Sequence, residues 1–211
     1  MLGLRVLQVW DLFGVVVFAL SGALQGARKG LDLWGMFFLA TLTAMGGGTL
    51  RSVLIGDLPP PLFQEPMYLS LIVVTTGAAF VLAERLHRLR WPMLVSDARG
   101  HGLFTSVGIA VALEHGLEAW AALAMGVITA CFGGIMRDVA VNEVPLILQR
   151  EVYATACLAG GMIYLALDHW GAGLLASTLA ATCCIVVARV AAVRYNLALP
   201  RFDTGDHQPP A

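Results

Sequence analysis

Met45-Gly46-Gly47-Gly48-Thr49-Leu50-Arg51 sets three consecutive glycines ahead of a charge, inside an otherwise apolar run. Glycine costs about 1 kcal/mol relative to alanine in a helix interior, so three in a row predict a loosened or broken helix. The run from Leu31 to Ile55 carries only Asp32 and Arg51 as charges, which places the break in a membrane rather than in a watery loop. Broken backbone at that depth is tolerated only where protein buries it or where it lines a wet cavity. A second copy, Phe132-Gly133-Gly134-Ile135-Met136-Arg137-Asp138, lies downstream.

The surrounding composition agrees. Of 211 residues, 58% are hydrophobic and 13% charged, against about 25% charged in a soluble domain. The deficit runs the whole length, which predicts an all-α, polytopic membrane protein. Apolar windows long enough to cross roughly 30 Å of hydrocarbon number seven: Leu7–Ala27, Leu31–Ile55, Met67–Ala83, Gly100–Leu113, Leu117–Met136, Val152–Leu167 and Gly171–Val193. The connector Glu84–Arg99 reads as a basic loop. On this reading one side of the membrane holds Arg5 and Arg51 and the other holds the remaining eleven Lys and Arg. Positive charge stays inside, so the N-terminus is expected outside and the C-terminus in the cytoplasm.

Sliding the chain on itself by 86 residues aligns 11–65 with 97–151 at sixteen identities. They include Asp11 with Asp97, Gly14 with Gly100, Phe18 with Phe104, Trp34 with Trp120, Thr43 with Thr129, Gly47-Gly48 with Gly133-Gly134, Arg51 with Arg137 and Pro59 with Pro145. The chain therefore divides into a three-helix repeat at 7–83, a second at 100–167, a seventh helix at 171–193 and a cytoplasmic tail at 194–211. Three spans per unit oblige the second unit to insert upside down. Inverted repeats with glycine-interrupted helices at matching positions point to a transport path at their interface.

Gly46, Gly47 and Gly48, with Gly133 and Gly134 entering from the opposite face, fall near mid-membrane. If the second span starts near Trp34, Gly46 lies roughly 18 Å in at 1.5 Å per residue. Exposed peptide groups there can replace part of a cation's hydration shell, with Thr43, Thr49 and Thr129 adding hydroxyls. The alternative is close helix packing, to which Gly22-x-x-x-Gly26-x-x-x-Gly30 is assigned. Arg51 and Arg137 need a partner or water at that depth. By symmetry Asp138 is expected to meet Arg51 as a gate; the alternative is that both arginines snorkel to headgroups. Arg85, Arg88 and Arg90 form a basic cluster for anionic membrane lipids, which positive-inside topology also accounts for.

Several classes drop out. No basic patch with interleaved aromatics speaks for nucleic acid. No Gly-x-Ser-x-Gly or His-Glu-x-x-His motif speaks for an enzyme, and no cofactor is implied. Cys131, Cys157, Cys183 and Cys184 show no metal-ligand spacing, and His101, His115 and His169 no i, i+4 pairing, so no metal site is expected.

The two glycine–arginine motifs, each on the second helix of a three-helix unit with a seventh helix appended, resemble the short prokaryotic members of the trimeric intracellular cation (TRIC) channel family. The resemblance covers about Asp11 to Arg194. It implies a homotrimer in a bacterial cytoplasmic membrane, with a pore for K⁺ and Na⁺ in each subunit between kinked second and fifth helices. It carries the pore role to both glycine clusters, to Arg51 and Arg137, and to Asp138. Ser52 stands where an acid would complete the first motif, and Phe132 where a third glycine would stand in the second. The competing reading is a secondary transporter for a small amino acid such as glycine.

Overall fold

The computed structural model describes residues 2–86, 90–149 and 152–195. They form seven long helices, α1 (Leu2–Arg28), α2 (Leu33–Ile55), α4 (Pro66–Leu86), α5 (Arg90–Glu114), α6 (Ala119–Ala140), α8 (Ala154–His169) and α9 (Leu174–Tyr195). Two single-turn helices, α3 (Pro61–Gln64) and α7 (Leu146–Gln149), sit in the connectors. Four segments, Leu7–Arg28 and helices α2, α6 and α9, are long and apolar enough to cross a membrane. The basic connector read from the sequence is largely helical: α5 already runs from Arg90, ten residues before Gly100. That extension brings Asp97 into the helix. Arg88 lies outside the described residues, as do the side chains of Arg85 and Arg90.

The duplication is visible in the turns. Leu31 N–H donates to Gly26 O after α1 at 3.0 Å, and Leu117 N–H to Ala112 O after α5 at 3.1 Å, 86 residues on. After α2, Asp57 N–H reaches Ser52 O at 2.9 Å; after α6, Glu143 N–H reaches Asp138 O at 2.9 Å. The residue turning each corner is left-handed, Gly56 at φ 78° and Asn142 at φ 53°. Asparagine is among the few side chains that tolerate this region, so two unlike letters make one turn. Beyond this turn the register slips by one. Phe63 N–H bonds Pro60 O as Leu148 N–H bonds Pro145 O, both at 2.9 Å and 85 residues apart. Pro145 therefore corresponds in space to Pro60, not to the Pro59 that the ungapped alignment pairs with it, and Tyr153 to Tyr68.

The two units meet through reciprocal contacts. A Cβ on Gly14 of α1 would strike Phe104 of α5, and a Cβ on Gly100 of α5 would strike Phe18 of α1. Each contact is the other moved by 86 residues, which is the signature of a two-fold relation between the halves. Gly22 and Gly26 pack against Thr43 and Met36 on α2, as the packing reading expects, whereas Gly30 turns the corner at φ 70°. Helix α9 closes the bundle against α5 and α8, with Thr182 over Gly102 and Ile185 over Gly160.

Candidate functional site

The expected breaks are absent: α2 and α6 are continuous helices through both glycine clusters. The reason is the solvent. Three glycines forfeit about 3 kcal/mol of helix propensity, but each backbone group freed in hydrocarbon costs several kcal/mol. The glycines serve approach instead. A Cβ on Gly47 would fall on the carbonyl oxygen of Thr129, and one on Gly133 on that of Thr43. The crossing of α2 and α6 is thus backbone against backbone, and it reads the same from either helix. Thr43 and Thr129 donate their hydroxyls to Leu39 O and Met125 O of their own helices, at 2.7 Å each. Their hydroxyl protons are therefore already engaged.

The remaining glycines differ. A Cβ on Gly46 would come within 2.7 Å of the Met136 sulfur, and one on Gly134 would meet the Tyr153 hydroxyl, while nothing stands within 4 Å of one on Gly48. Beside the crossing lies an apolar cavity of about 360 Å³, lined by Met45, Gly46, Thr49, Leu50, Phe132 and Met136 among others. Thr49 lines this cavity; Thr43 and Thr129 do not.

Arg137 is fully buried and tied down on three sides. Its Nη1 donates to Asp97 Oδ1 and to Ser21 Oγ, and its Nε to Asp138 Oδ1, all at 2.8 Å. Asp138 Oδ2 also accepts from the Leu146 backbone at 3.0 Å. Arg189 of α9 donates to the second Asp97 oxygen at 2.8 Å, with its guanidinium 4.1 Å above the Tyr153 ring. Two arginines and two aspartates make a neutral cluster in which all four carboxylate oxygens are engaged, the form in which buried charge is tolerated, while Arg137 Nη2 and Arg189 Nε and Nη1 have no partner among the described residues.

Asp138 therefore meets Arg137, its neighbour in sequence, and not Arg51. The flexible arginine side chain curls back to its own helix end, which a rule about Cβ directions does not capture. Nor does either arginine snorkel outward. Arg51 is only 3% exposed, yet among the described residues its Nε and Nη1 have no hydrogen-bond partner, and neither does the hydroxyl of buried Ser52. Among the described residues no carboxylate lies within ion-pair distance of Arg51. Asp11, its counterpart to Asp97, is engaged by the Tyr68 hydroxyl at 2.6 Å.

Sequence reasoning missed Ser21, Asp97, Tyr153 and Arg189. Asp97 carries a signal, the Asp11–Asp97 identity, but the reading of Glu84–Arg99 as a loop hides it; Arg189 lies outside the duplication. At the helix ends, Lys29 pairs with Glu143 at 2.6 Å, and Gln25 donates to the same carboxylate at 2.8 Å. The Lys29 hydrogen bond holds the Glu143 carboxyl below the ordinary glutamate range.

The chain matches a family profile described as "Glycine transporter" twice, over residues 8–84 and 94–169. It is 39% identical to a UPF0126 membrane protein of Vibrio cholerae over 197 residues, 93% of this chain and 82% of that one. It is 35% identical to the UPF0126 inner membrane protein YadS of Escherichia coli, covering 91% of this chain and 94% of that one. Among solved structures it resembles the TRIC trimeric intracellular cation channel orthologue from Rhodobacter sphaeroides, with a TM-score of 0.87 and 36% identity over 91% of this chain and 99% of that one. The likeness thus spans nearly the whole chain, including α9.

Proposed function

We propose that this chain, which belongs to the bacterial family uniting the UPF0126 membrane proteins, the duplicated Glycine transporter domain and the TRIC cation channels, is a monovalent cation channel. Its seven long helices are read as seven spans, arranged as two inverted three-helix units plus α9, with the N-terminus outside and the C-terminus in the cytoplasm. Three copies assemble, each with its own path for K⁺ and Na⁺ between α2 and α6. The observation that carries the reading is the crossing of those helices at Gly47 and Gly133, backed by likeness to a TRIC structure across the whole fold.

The path does not need broken helices. Backbone contact at the crossing supports reading this conformation as closed. Opening then consists of separating α2 from α6, which exposes small residues, the Thr43 and Thr129 carbonyls and the Thr49 hydroxyl to water. Arg51, buried without an acid partner, is the charge that gains most from that water. Arg137 and Asp138 hold the facing helix in place.

Bilayer recording of the purified protein between K⁺ on one side and Na⁺ on the other tests this reading. Unitary currents carried by both ions, altered by Arg51→Ala, are expected. The matching "Glycine transporter" profile keeps a second reading open, gradient-coupled uptake of a small amino acid. Saturable glycine uptake into proteoliposomes without unitary currents would replace the first reading by the second.

A further inference from the structure

Behind the arginine cluster a second set of donors converges. A ring nitrogen of His101 on α5, the sulfur of Cys131 on α6 and the sulfur of Cys157 on α8 all lie within 4.8 Å of one another. The three side chains are 0%, 2% and 0% exposed. His101 Nδ1 donates to the Asp97 carbonyl at 2.6 Å, which leaves the lone pair on Nε2. That Nε2 is buried and has no hydrogen-bond partner. A buried polar atom left unpaired costs about 1–3 kcal/mol, and a histidine whose other nitrogen is fixed to a backbone carbonyl is how proteins orient a metal ligand.

We propose that His101 Nε2, Cys131 Sγ and Cys157 Sγ form a binding site for a soft monovalent d¹⁰ cation, copper(I). Two sulfurs and an imidazole in a dry pocket select a soft ion over K⁺, Na⁺ or Mg²⁺. Zinc takes four ligands and completes a Cys₂His set with water, so it is the dryness of the pocket, with all three side chains buried, that favours three-coordinate copper(I). Ligands at about 2.0–2.3 Å from one ion stand at most about 4.6 Å apart, close to the 4.8 Å within which the two sulfurs and a ring nitrogen of His101 lie.

Binding forms two S–Cu bonds and one N–Cu bond, and two thiol protons leave. The site passes from neutral to a single negative charge. Arg189, paired with Asp97, stands nearby, stacked on the Tyr153 ring that lies 4.2 Å from His101, and its field favours the anionic site. The ion would join α5, α6 and α8, the three long helices of the second unit. At the corresponding positions the first unit has Val15, Met45 and Ile72, and so cannot bind one.

The test is anaerobic titration of the purified full chain with copper(I) against a chromophoric copper(I) chelator, followed by metal analysis of the desalted protein. One copper per chain is expected, with thiolate-to-copper absorption in the ultraviolet. Cys131→Ser, Cys157→Ser and His101→Gln should each weaken binding by at least about 100-fold, since even an outer-shell partner is worth about 10–100-fold. Cys183→Ser and Cys184→Ser should bind as the parent does. Circular dichroism of each apo variant reports whether it is folded, and copper should raise the thermal midpoint of the parent and of the Cys183 and Cys184 variants but not of the three ligand variants. Copper retention no greater than in the Cys131→Ser/Cys157→Ser double variant overturns the proposal. So does copper that follows Cys183 and Cys184, or a preference for zinc over copper(I).

Discussion

The two halves of this protein begin from the same residues and reach opposite electrostatic ends. In the second, Asp97, Arg137 and Tyr153 are joined by Asp138, Ser21 and Arg189 into a neutral cluster. In the first, Asp11, Arg51 and Tyr68 stand at the equivalent places, but tyrosine takes the aspartate, and among the described residues Arg51 has no carboxylate where Arg137 and Arg189 each have one or more. Two local changes account for the difference: Ser52 replaces an acid, and no helix plays the part of α9. Duplication thus supplied one frame twice, and a serine and an added helix turned one copy into a clamp and the other into a loose charge.

The largest effect should come from cutting the clamp. Arg137→Met or Asp97→Asn leaves a buried charge unpaired and is expected to cost about 3–5 kcal/mol. Arg51→Met removes an unpaired charge and should be neutral or stabilising. Thermal denaturation in detergent measures all three, and equal losses at Arg51 and Arg137 would erase the asymmetry.

The crossing should behave oppositely, the same in both halves. Gly47→Ala and Gly133→Ala each drive a methyl into a carbonyl and should cost about 1–3 kcal/mol, as overpacking does. Gly48→Ala meets nothing and should gain up to about 1 kcal/mol of helix propensity. Unequal losses at 47 and 133, read from the same melts, would break the two-fold relation.

Ser52→Asp sharpens the comparison by restoring the missing acid. Asp at that position should accept from Arg51 Nε as Asp138 does from Arg137, lowering cation flux with stability raised by about 1–3 kcal/mol at most. Unchanged flux would separate Arg51 from opening.

The smallest effect belongs to the Lys29–Glu143 pair, both members more than a third exposed. Glu143→Gln should cost no more than about 1 kcal/mol. Because the folded carboxyl titrates below its unfolded value, this contribution is present above the ordinary glutamate range. It is lost as pH falls through the depressed folded value. The variant and the parent should therefore converge in stability in strong acid.

The duplicated frame was legible because Gly, Trp and Asp coincide at one offset, and the turns at Leu31 and Leu117 repeat atom for atom. The glycine clusters were legible as a meeting point of two helices but not in their conformation. Propensities measured in water say nothing of the cost of freeing a peptide group in hydrocarbon. The partners of Arg137 were hidden for a different reason. Ser21 and Asp97 lie 116 and 40 residues away in the chain, and Arg189, which holds the other Asp97 oxygen, 92 residues from that aspartate; spacing along one helix cannot report them. The one-residue slip after Gly56 and Asn142 was masked by Pro59-Pro60-Pro61, which offers a proline to either register.

A crossing that presents Gly47 to Thr129 and Gly133 to Thr43 has no polarity of its own. Under the inverted arrangement, an ion arriving from outside and one arriving from the cytoplasm meet the same narrowing in the same order. Rectification of the current, where it occurs, must then come from the places where the two halves part, Gly46 against Phe132, Thr49 against Ile135 and the unlike surroundings of the two arginines.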